Sequence, residues 1–211
     1  MSDPRRHAPA TQRNREPILA VLQRVLPPTG TVLEVASGTG EHSIFFAPRL
    51  APRRWLPSDF PAEQLASIRA WQAAAPAENL LPPLQLDASQ ATWPVETGAI
   101  ATELATEPIR AIVNINMIHI SPWTTGLGLL AAAGRILPTG GILYLYGPFQ
   151  IDGQHTAPSN QAFDESLRSQ DPAWGVRDLA AVTAAAAAAQ LEFVETVAMP
   201  ANNFSVIFRH S

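Results

Sequence analysis

The chain has 211 residues, 46% hydrophobic and 15% charged, enough to bury a full core in one domain. Its formal charge of -4 speaks against a surface built to neutralise many phosphates, so a small-molecule partner is expected rather than a nucleic acid. There are no cysteines, which removes disulfides, thiolate metal sites and cysteine nucleophiles. All 14 basic residues are arginines, which removes a phosphate-loop lysine, a Tyr-x-x-x-Lys dehydrogenase site and any Schiff-base lysine.

The N-terminal stretch carries arginines with no apolar run behind them, and nothing approaches the ~18 apolar residues of a membrane span. A cytoplasmic protein without membrane contact is expected. Residues 1–12 read as a disordered tail and 13–211 as a single domain. From Arg15 to Leu26 the apolar residues Ile18, Leu19, Leu22 and Val25 recur at helical spacing, up to Pro27-Pro28. TVLEVA predicts a short strand, Glu41 to Leu50 a helix, Arg53 to Pro57 a strand and Ala62 to Ala75 a helix. A short strand follows at Leu84 to Leu86, then a buried-type strand at Ile109 to Ile115 and a helix at Leu127 to Leu137. ILYLYG is the most apolar strand. A long polar insertion, Gln150 to Trp174, precedes an alanine-rich helix from about Val176 to Gln190, and strands at Leu191 to Ala198 and Phe204 to Arg209 end the chain.

Strands alternating with helices predict an α/β fold: a doubly wound sheet with helices on both faces, parallel except for the last strand in a C-terminal hairpin. In such sheets ligands bind outside the carboxyl ends of the strands. The first strand's exit is VLEVASGTGEH. A dinucleotide fingerprint G-x-G-x-x-G fails here, because Gly38 and Gly40 are followed by Ser43, and this disfavours a nicotinamide or flavin cofactor. The stretch Glu34-Val35-Ala36-Ser37-Gly38-Thr39-Gly40 instead resembles the acidic-x-Gly-x-Gly-x-Gly loop of class I S-adenosylmethionine-dependent methyltransferases. Gly38 and Gly40 let the backbone approach a ligand, and Glu34 can serve the ligand's ammonium end. Ala36 ends the strand, where a methyl is tolerable at negative φ. Asp59, 19 residues past Gly40, is placed to accept from ribose hydroxyls. Asp87 corresponds to the acidic residue that accepts from the adenine amino group in this class. Each aspartate taken singly could equally cap a helix or turn.

The segments RNREPIL, LEVASGTGEH, WLPSD, NMIHISPW, SNQAFDESLRSQDPAWGVRD and MPANNF together resemble the methyltransferase-like protein 26 family, over nearly the whole chain from Arg13 onward. The resemblance implies a seven-stranded class I fold with S-adenosylmethionine as cofactor, and makes Ala-Ser-Gly-Thr-Gly the family's own spelling of the loop. On this reading the cofactor-binding residues are Arg13, Asn14, Glu34, Ala36, Ser37, Gly38, Gly40, His42, Asp59, Asp87, Asn116 and Met117. It supplies no substrate.

Methyl transfer from a sulfonium is an in-line displacement that positioning and desolvation can accelerate, with a general base needed only where the acceptor must lose a proton. His119, after the fourth strand, is the candidate base, and a core histidine with satisfied nitrogens is the alternative. Tyr146, at the fifth strand's exit, either meets the acceptor or packs. The substrate wall is expected to comprise His119, Trp123, Tyr146, Asn160, Trp174, Arg177 and Asn203, since long loops in compact domains are usually binding loops. Asn160 could instead cap a helix, Arg177 could pair with Asp171 or Asp178, and Asn202 and Asn203 are natural turn residues. The five histidines show no ligand spacing, so no metal is expected.

Overall fold

A computed structural model describes residues 3–211. The helix α1 (Pro9–Val25) is followed by β1 (Thr31–Val35), α2 (Glu41–Arg49), β2 (Arg54–Asp59), α3 (Ala62–Ala74), β3 (Leu84–Gln85), α4 (Gly98–Leu104) and β4 (Ile109–Ile115). Then come α5 (Trp123–Ile136), β5 (Ile142–Gly147), β6 (Phe149–Ile151), β7 (Gln154–His155), α6 (Pro158–Gln170), β8 (Arg177–Asp178), α7 (Leu179–Ala188), β9 (Leu191–Met199) and β10 (Asn203–His210). Seven strands form one sheet in the order β3-β2-β1-β4-β5-β10-β9. β2 is parallel to both β1 and β3, whereas β10 runs antiparallel to β5 and β9. The terminal hairpin read from two consecutive strands is thus present, and its last strand lies inside the sheet rather than at its edge. Among the described residues no helix is long and apolar enough to cross a membrane.

The chain packs as two compact units, one running to Asp87 with Thr92–Val113, the other made of Ala88–Ala91 and Asn114–Ser211. In the first, all five residues of β1 are buried, and Leu33, Trp55, Phe46, Ile18, Leu22 and Ile68 fill the core on its flanks. Burying such side chains contributes roughly 1.5–3 kcal/mol each, before the entropy of ordering them is subtracted. In the second, Leu143, Tyr144, Phe149, Val206 and Phe208 are buried, and the Tyr144 hydroxyl is satisfied by Ser205 Oγ at 2.6 Å.

Several elements differ from the sequence reading: α4 is additional, α5 begins at Trp123 rather than Leu127, and three further differences have a clear local cause. α1 begins at Pro9, six residues before the expected Arg15, because proline at the first turn lacks only an N–H that the helix could not use. Ahead of it the chain is tied down: Arg6 N–H donates to Ser67 Oγ at 2.9 Å, Arg6 O accepts from Trp71 Nε1 at 3.0 Å, and Ala8 N–H donates to Glu41 Oε2 at 2.6 Å. Within the polar insertion, β6 and β7 form a hairpin about Asp152-Gly153, both at positive φ (51° and 73°), and β8 pairs in parallel with β6. Asp-Gly between paired strands is a strong hairpin signal. α7 starts at Leu179 rather than Val176, because the Asp178 carboxylate caps it by accepting from Ala180 and Ala181 N–H at 2.9 and 3.3 Å.

Glu34 stands at the centre of the first unit, 2% exposed. Its Oε2 accepts from the Ser43 hydroxyl of α2 and from Trp55 Nε1 of β2, the latter at 2.8 Å. Burial pushes the Glu34 carboxyl up to about 7, against the downward pull of hydrogen bonds from Ser43, Trp55 and Ser37. The folded protein therefore holds this proton where an unfolded chain, with its carboxyl at the ordinary 4.5, has released it. The stability from this group is complete below that ordinary value and is lost as pH rises through the folded one. Glu34→Gln keeps an acceptor for Ser43 and Trp55 but cannot ionise. Its melting temperature relative to wild type is expected to climb between about pH 5 and about pH 8 and then level off. Parallel thermal melts check this, and a difference that stays flat with pH would show that Glu34 ionises like an exposed carboxyl.

Candidate functional site

The loop after β1 turns back on itself through three residues in the left-handed region: Ala36 (φ 59°), Gly38 (φ 59°) and Gly40 (φ 90°). The expectation of a negative φ at Ala36 is corrected here. The strand reverses immediately after Val35 so that Ser37 N–H can donate to Ser58 O at 2.8 Å, and Ala36 accepts the strain. The two glycines serve different ends. A Cβ on Gly38 would meet nothing within 4 Å, so its α-carbon faces open space, whereas a Cβ on Gly40 would lie 2.8 Å from the α-carbon of Ile68. Gly40 is thus required for packing α3, and Gly38 is the position open to a ligand.

Asp59, at the exit of β2, secures this loop. Its Oδ2 accepts from Gly38 N–H at 2.7 Å and its Oδ1 from Phe60 N–H at 2.8 Å. Burial raises its pKa while the amides of Gly38 and Phe60 pull it down. Each carboxylate oxygen has a second lone pair, so hydroxyl donors can still be received. Leu86 N–H donates to Asp59 O at 3.0 Å, which sets the half-buried Asp87 beside this exit.

Other expected cofactor residues lie differently. The Glu34 carboxyl is turned into the core behind the loop, engaged by Ser43 and Trp55. His42 is buried against α1: its Nε2 lies 2.8 Å from Asn14 Oδ1 and its ring stacks on Phe46 at 5.2 Å. Burial, with Arg15 nearby, pushes its pKa down to about 3, so it stays neutral. Asn14 is buried with it, while Arg13 is exposed on α1.

In the second unit, Asn116 takes φ 65°, which asparagine tolerates, and its N–H donates to Tyr146 O at 2.8 Å. Met117 is half-buried, and its carbonyl accepts from the Ser121 hydroxyl at 2.7 Å. Tyr146 is 3% exposed. His119 is fully buried. Its Nδ1 accepts from Arg177 N–H at 3.3 Å, which leaves the proton on Nε2, and Nε2 has no partner. A Cβ on Gly147 would fall 2.5 Å from that nitrogen and 3.0 Å from Asn116 Oδ1, so only glycine fits opposite the ring. Desolvation, with Arg177 nearby, pushes the His119 pKa down to about 3. An imidazole so placed is a neutral donor and does not take up a proton near neutral pH.

Arg177 is a clamp. Its Nε donates to Ile118 O at 2.9 Å and its terminal nitrogen to Ser121 O and Ala173 O at 2.7 and 2.9 Å, with the guanidinium 5.7 Å from the ring of half-buried Trp123. It pairs with neither Asp171 nor Asp178. Trp174 is half-buried, next in the chain to Ala173, whose carbonyl Arg177 holds. Asn160 does not cap α6: its Nδ2 donates to Thr156 Oγ1 at 3.0 Å and to Asn202 O at 2.9 Å, joining α6 to the turn before β10. Asn203 serves that turn, donating to Pro200 O at 3.0 Å. One residue outside the expected set organises the insertion. Asp164, 6% exposed, accepts from Val176 N–H at 2.7 Å and Arg168 Nε at 3.0 Å, with His155 Nε2 at 3.5 Å. Its signal in the sequence is the Asp164/Arg168 spacing on a predicted helix face.

The fold is shared with class I methyltransferases. Among solved structures, the S-adenosylmethionine-dependent methyltransferase SibL in its apo form matches 95% of this chain and 55% of its own, at 20% identity and a TM-score of 0.72. A family 2 O-methyltransferase from Planctomyces limnophilus, in complex with apigenin, matches 93% and 61%, at 19% identity and a TM-score of 0.71. Human N-acetylserotonin methyltransferase, in complex with SAM, matches 96% and 53%, at 13% identity and a TM-score of 0.75. The chain spans little more than half the length of these proteins. The model of a family described as a protein of unknown function, DUF938, matches residues 5–210. The chain belongs to the DUF938 family.

Proposed function

We propose that this protein is an S-adenosylmethionine-dependent methyltransferase acting on a small-molecule acceptor. The observation that carries the reading is the Gly38 loop: an α-carbon facing open space, with its amide held by an acidic strand exit that keeps lone pairs to spare. When bound, S-adenosylmethionine supplies a methyl group on a sulfonium for in-line displacement. Gly38 gives the backbone close approach, Asp59 accepts from the ribose, and Asp87 accepts from the adenine amino group. A phosphate-bearing cofactor is less well served, since two of the loop's amides are already engaged: Gly38 N–H by Asp59 and Gly40 N–H by Ser37 O. The methyltransferase-like protein 26 resemblance and the SAM-bound neighbour support the same cofactor, and the apigenin-bound neighbour supports a small acceptor. A net charge of -4 supports an acceptor other than nucleic acid.

For the reaction itself, the burial and neutral state of His119 favour a chemistry without a general base at that position. His119 acts as a positioning residue at the exit of β4, held by Arg177 N–H and backed by Gly147. Nitrogen NMR of the labelled protein is expected to find His119 neutral, with its proton on Nε2, from about pH 5 to about pH 8. A resonance titrating near its ordinary value would return it to the role of base.

Calorimetric titration of the wild type with S-adenosylmethionine or S-adenosylhomocysteine is expected to give a dissociation constant in the micromolar range. Asp59→Ala and Gly38→Val should abolish the heat, the latter because a β-branched residue is strained at φ 59°. Ala36→Gly should keep binding and raise unfolding stability by about 1 kcal/mol, since it relieves left-handed strain at an alanine. No heat with either ligand, together with no thermal shift, would reject the cofactor.

A further inference from the structure

A cleft about 280 Å³ in volume opens in the first unit where the segment ahead of α1 crosses α2 and α3. Its walls include His7, Arg15, Glu41, Phe45, Arg49 and Trp71. The guanidinium carbons of Arg15 and Arg49 stand 4.5 and 4.0 Å from the centre of the same Phe45 ring. Two cations sharing one aromatic ring repel each other, and ring contact offsets only part of that cost. Among the described residues neither is joined to a carboxylate: Arg49 donates to Phe45 O at 3.0 Å, and Arg15 Nε is buried with no hydrogen-bond partner.

The cleft's own acid does not answer them. Glu41 is already engaged by Ala8 N–H at 2.6 Å and the Thr39 hydroxyl at 3.0 Å on Oε2, and by His7 Nδ1 at 3.3 Å on Oε1. Arg5, over Trp71 at 5.1 Å, is neutralised by Asp3 at 2.6 Å. What remains is the half-buried guanidinium of Arg15 with one orphaned N–H, the exposed guanidinium of Arg49, and two aromatic walls. The reach of Arg15's charge is felt at His42, whose protonation it opposes after burial.

We propose that this cleft binds a small organic oxyanion, its carboxylate or phosphate paired with Arg15 and Arg49 and its body lying against Phe45 and Trp71. A guanidinium presents N–H donors in a fork that matches such groups, and the orphaned Arg15 Nε–H gains the acceptor it lacks. The volume suits a ligand at the small end of the range for binding pockets. The site draws on none of the residues assigned to the cofactor, so it stands or falls apart from the methyltransferase reading.

The test uses the full chain without S-adenosylmethionine, titrated with benzoate and, separately, with inorganic phosphate, at constant ionic strength against chloride. The melting temperature is expected to rise saturably with at least one of them, and which one identifies the charged group. Arg15→Gln and Arg49→Gln should each weaken binding tenfold or more, with the fold checked by circular dichroism. In the wild type, the proton–nitrogen resonance of Arg15 Nε should move along the same saturation curve, a readout that needs no variant. A rise equal in both variants, an unmoved Arg15 resonance, or no saturable rise with either anion would overturn the proposal.

Discussion

The first unit depends on one buried carboxyl. An isolated charge in the position of Glu34 would cost several kcal/mol, yet the chain puts an acid in the middle of a fully buried strand. The cost is reduced in two ways: Ser43 and Trp55 both donate to the same oxygen, and burial keeps the proton on. Because Ser43 belongs to α2 and Trp55 to β2, this one group holds three elements in register. The loop from Ala36 to Gly40 is then strung between two anchored ends. Between those ends it enters the left-handed region three times, at Ala36, Gly38 and Gly40. The serine that breaks the dinucleotide pattern at Ser43 is therefore the donor that a buried acid requires.

Much of the sheet could be read from the sequence, and the physical reason is burial on both faces. β5 is an unbroken apolar run and β4 is interrupted only by Arg110 and Asn114, and their bounds, Ile109–Ile115 and Ile142–Gly147, coincide with those read from hydropathy. The insertion after β5 could not be read in the same way. Its three strands span two or three residues each, too short for any period to register, and they are held by a hairpin turn and a parallel rung rather than by an apolar face. The Asp152-Gly153 pair carried the only local signal, and it was turn chemistry rather than hydrophobic pattern. α4 was equally silent, since Leu104 is its single buried residue.

The site was legible as residue types at strand exits and illegible as side-chain directions. The spacing marked Asp59 as a ribose acceptor; what the structure shows is that it also holds Gly38 N–H, because an acidic residue at the end of β2 is a neighbour of the β1 exit in a parallel pair with this register. Glu34, His42 and His119 have the right chemistry for ligand contact, but tertiary packing turns each inward. α1 supplies Asn14 for His42, α2 supplies Ser43 for Glu34, and the insertion supplies Arg177 N–H for His119. None of these partners lies within eight residues of the group it satisfies, so no local window could have revealed them.

In the second unit the same logic governs a region without an apolar core of its own. The insertion is rich in charged and amide side chains; some pair with one another, as Arg168 and His155 do with Asp164 and Gln161 with Glu165, and others are spent on backbone. Arg177 serves three carbonyls, Asp164 a peptide N–H, and Asn160 the carbonyl of Asn202. A charge-assisted bond to a peptide group is stronger than a neutral one and directional, so each fixes a strand or loop in place where a few methyl groups could not. Burial lowers the Arg177 pKa, but a guanidinium starts so high that it stays charged and the clamp holds across the physiological range. Gly175 completes the arrangement: its N–H donates to His119 O at 2.9 Å, and a Cβ there would sit 2.7 Å from Asp164 Oδ1. The β4 exit and the insertion are thereby joined through backbone and side-chain hydrogen bonds.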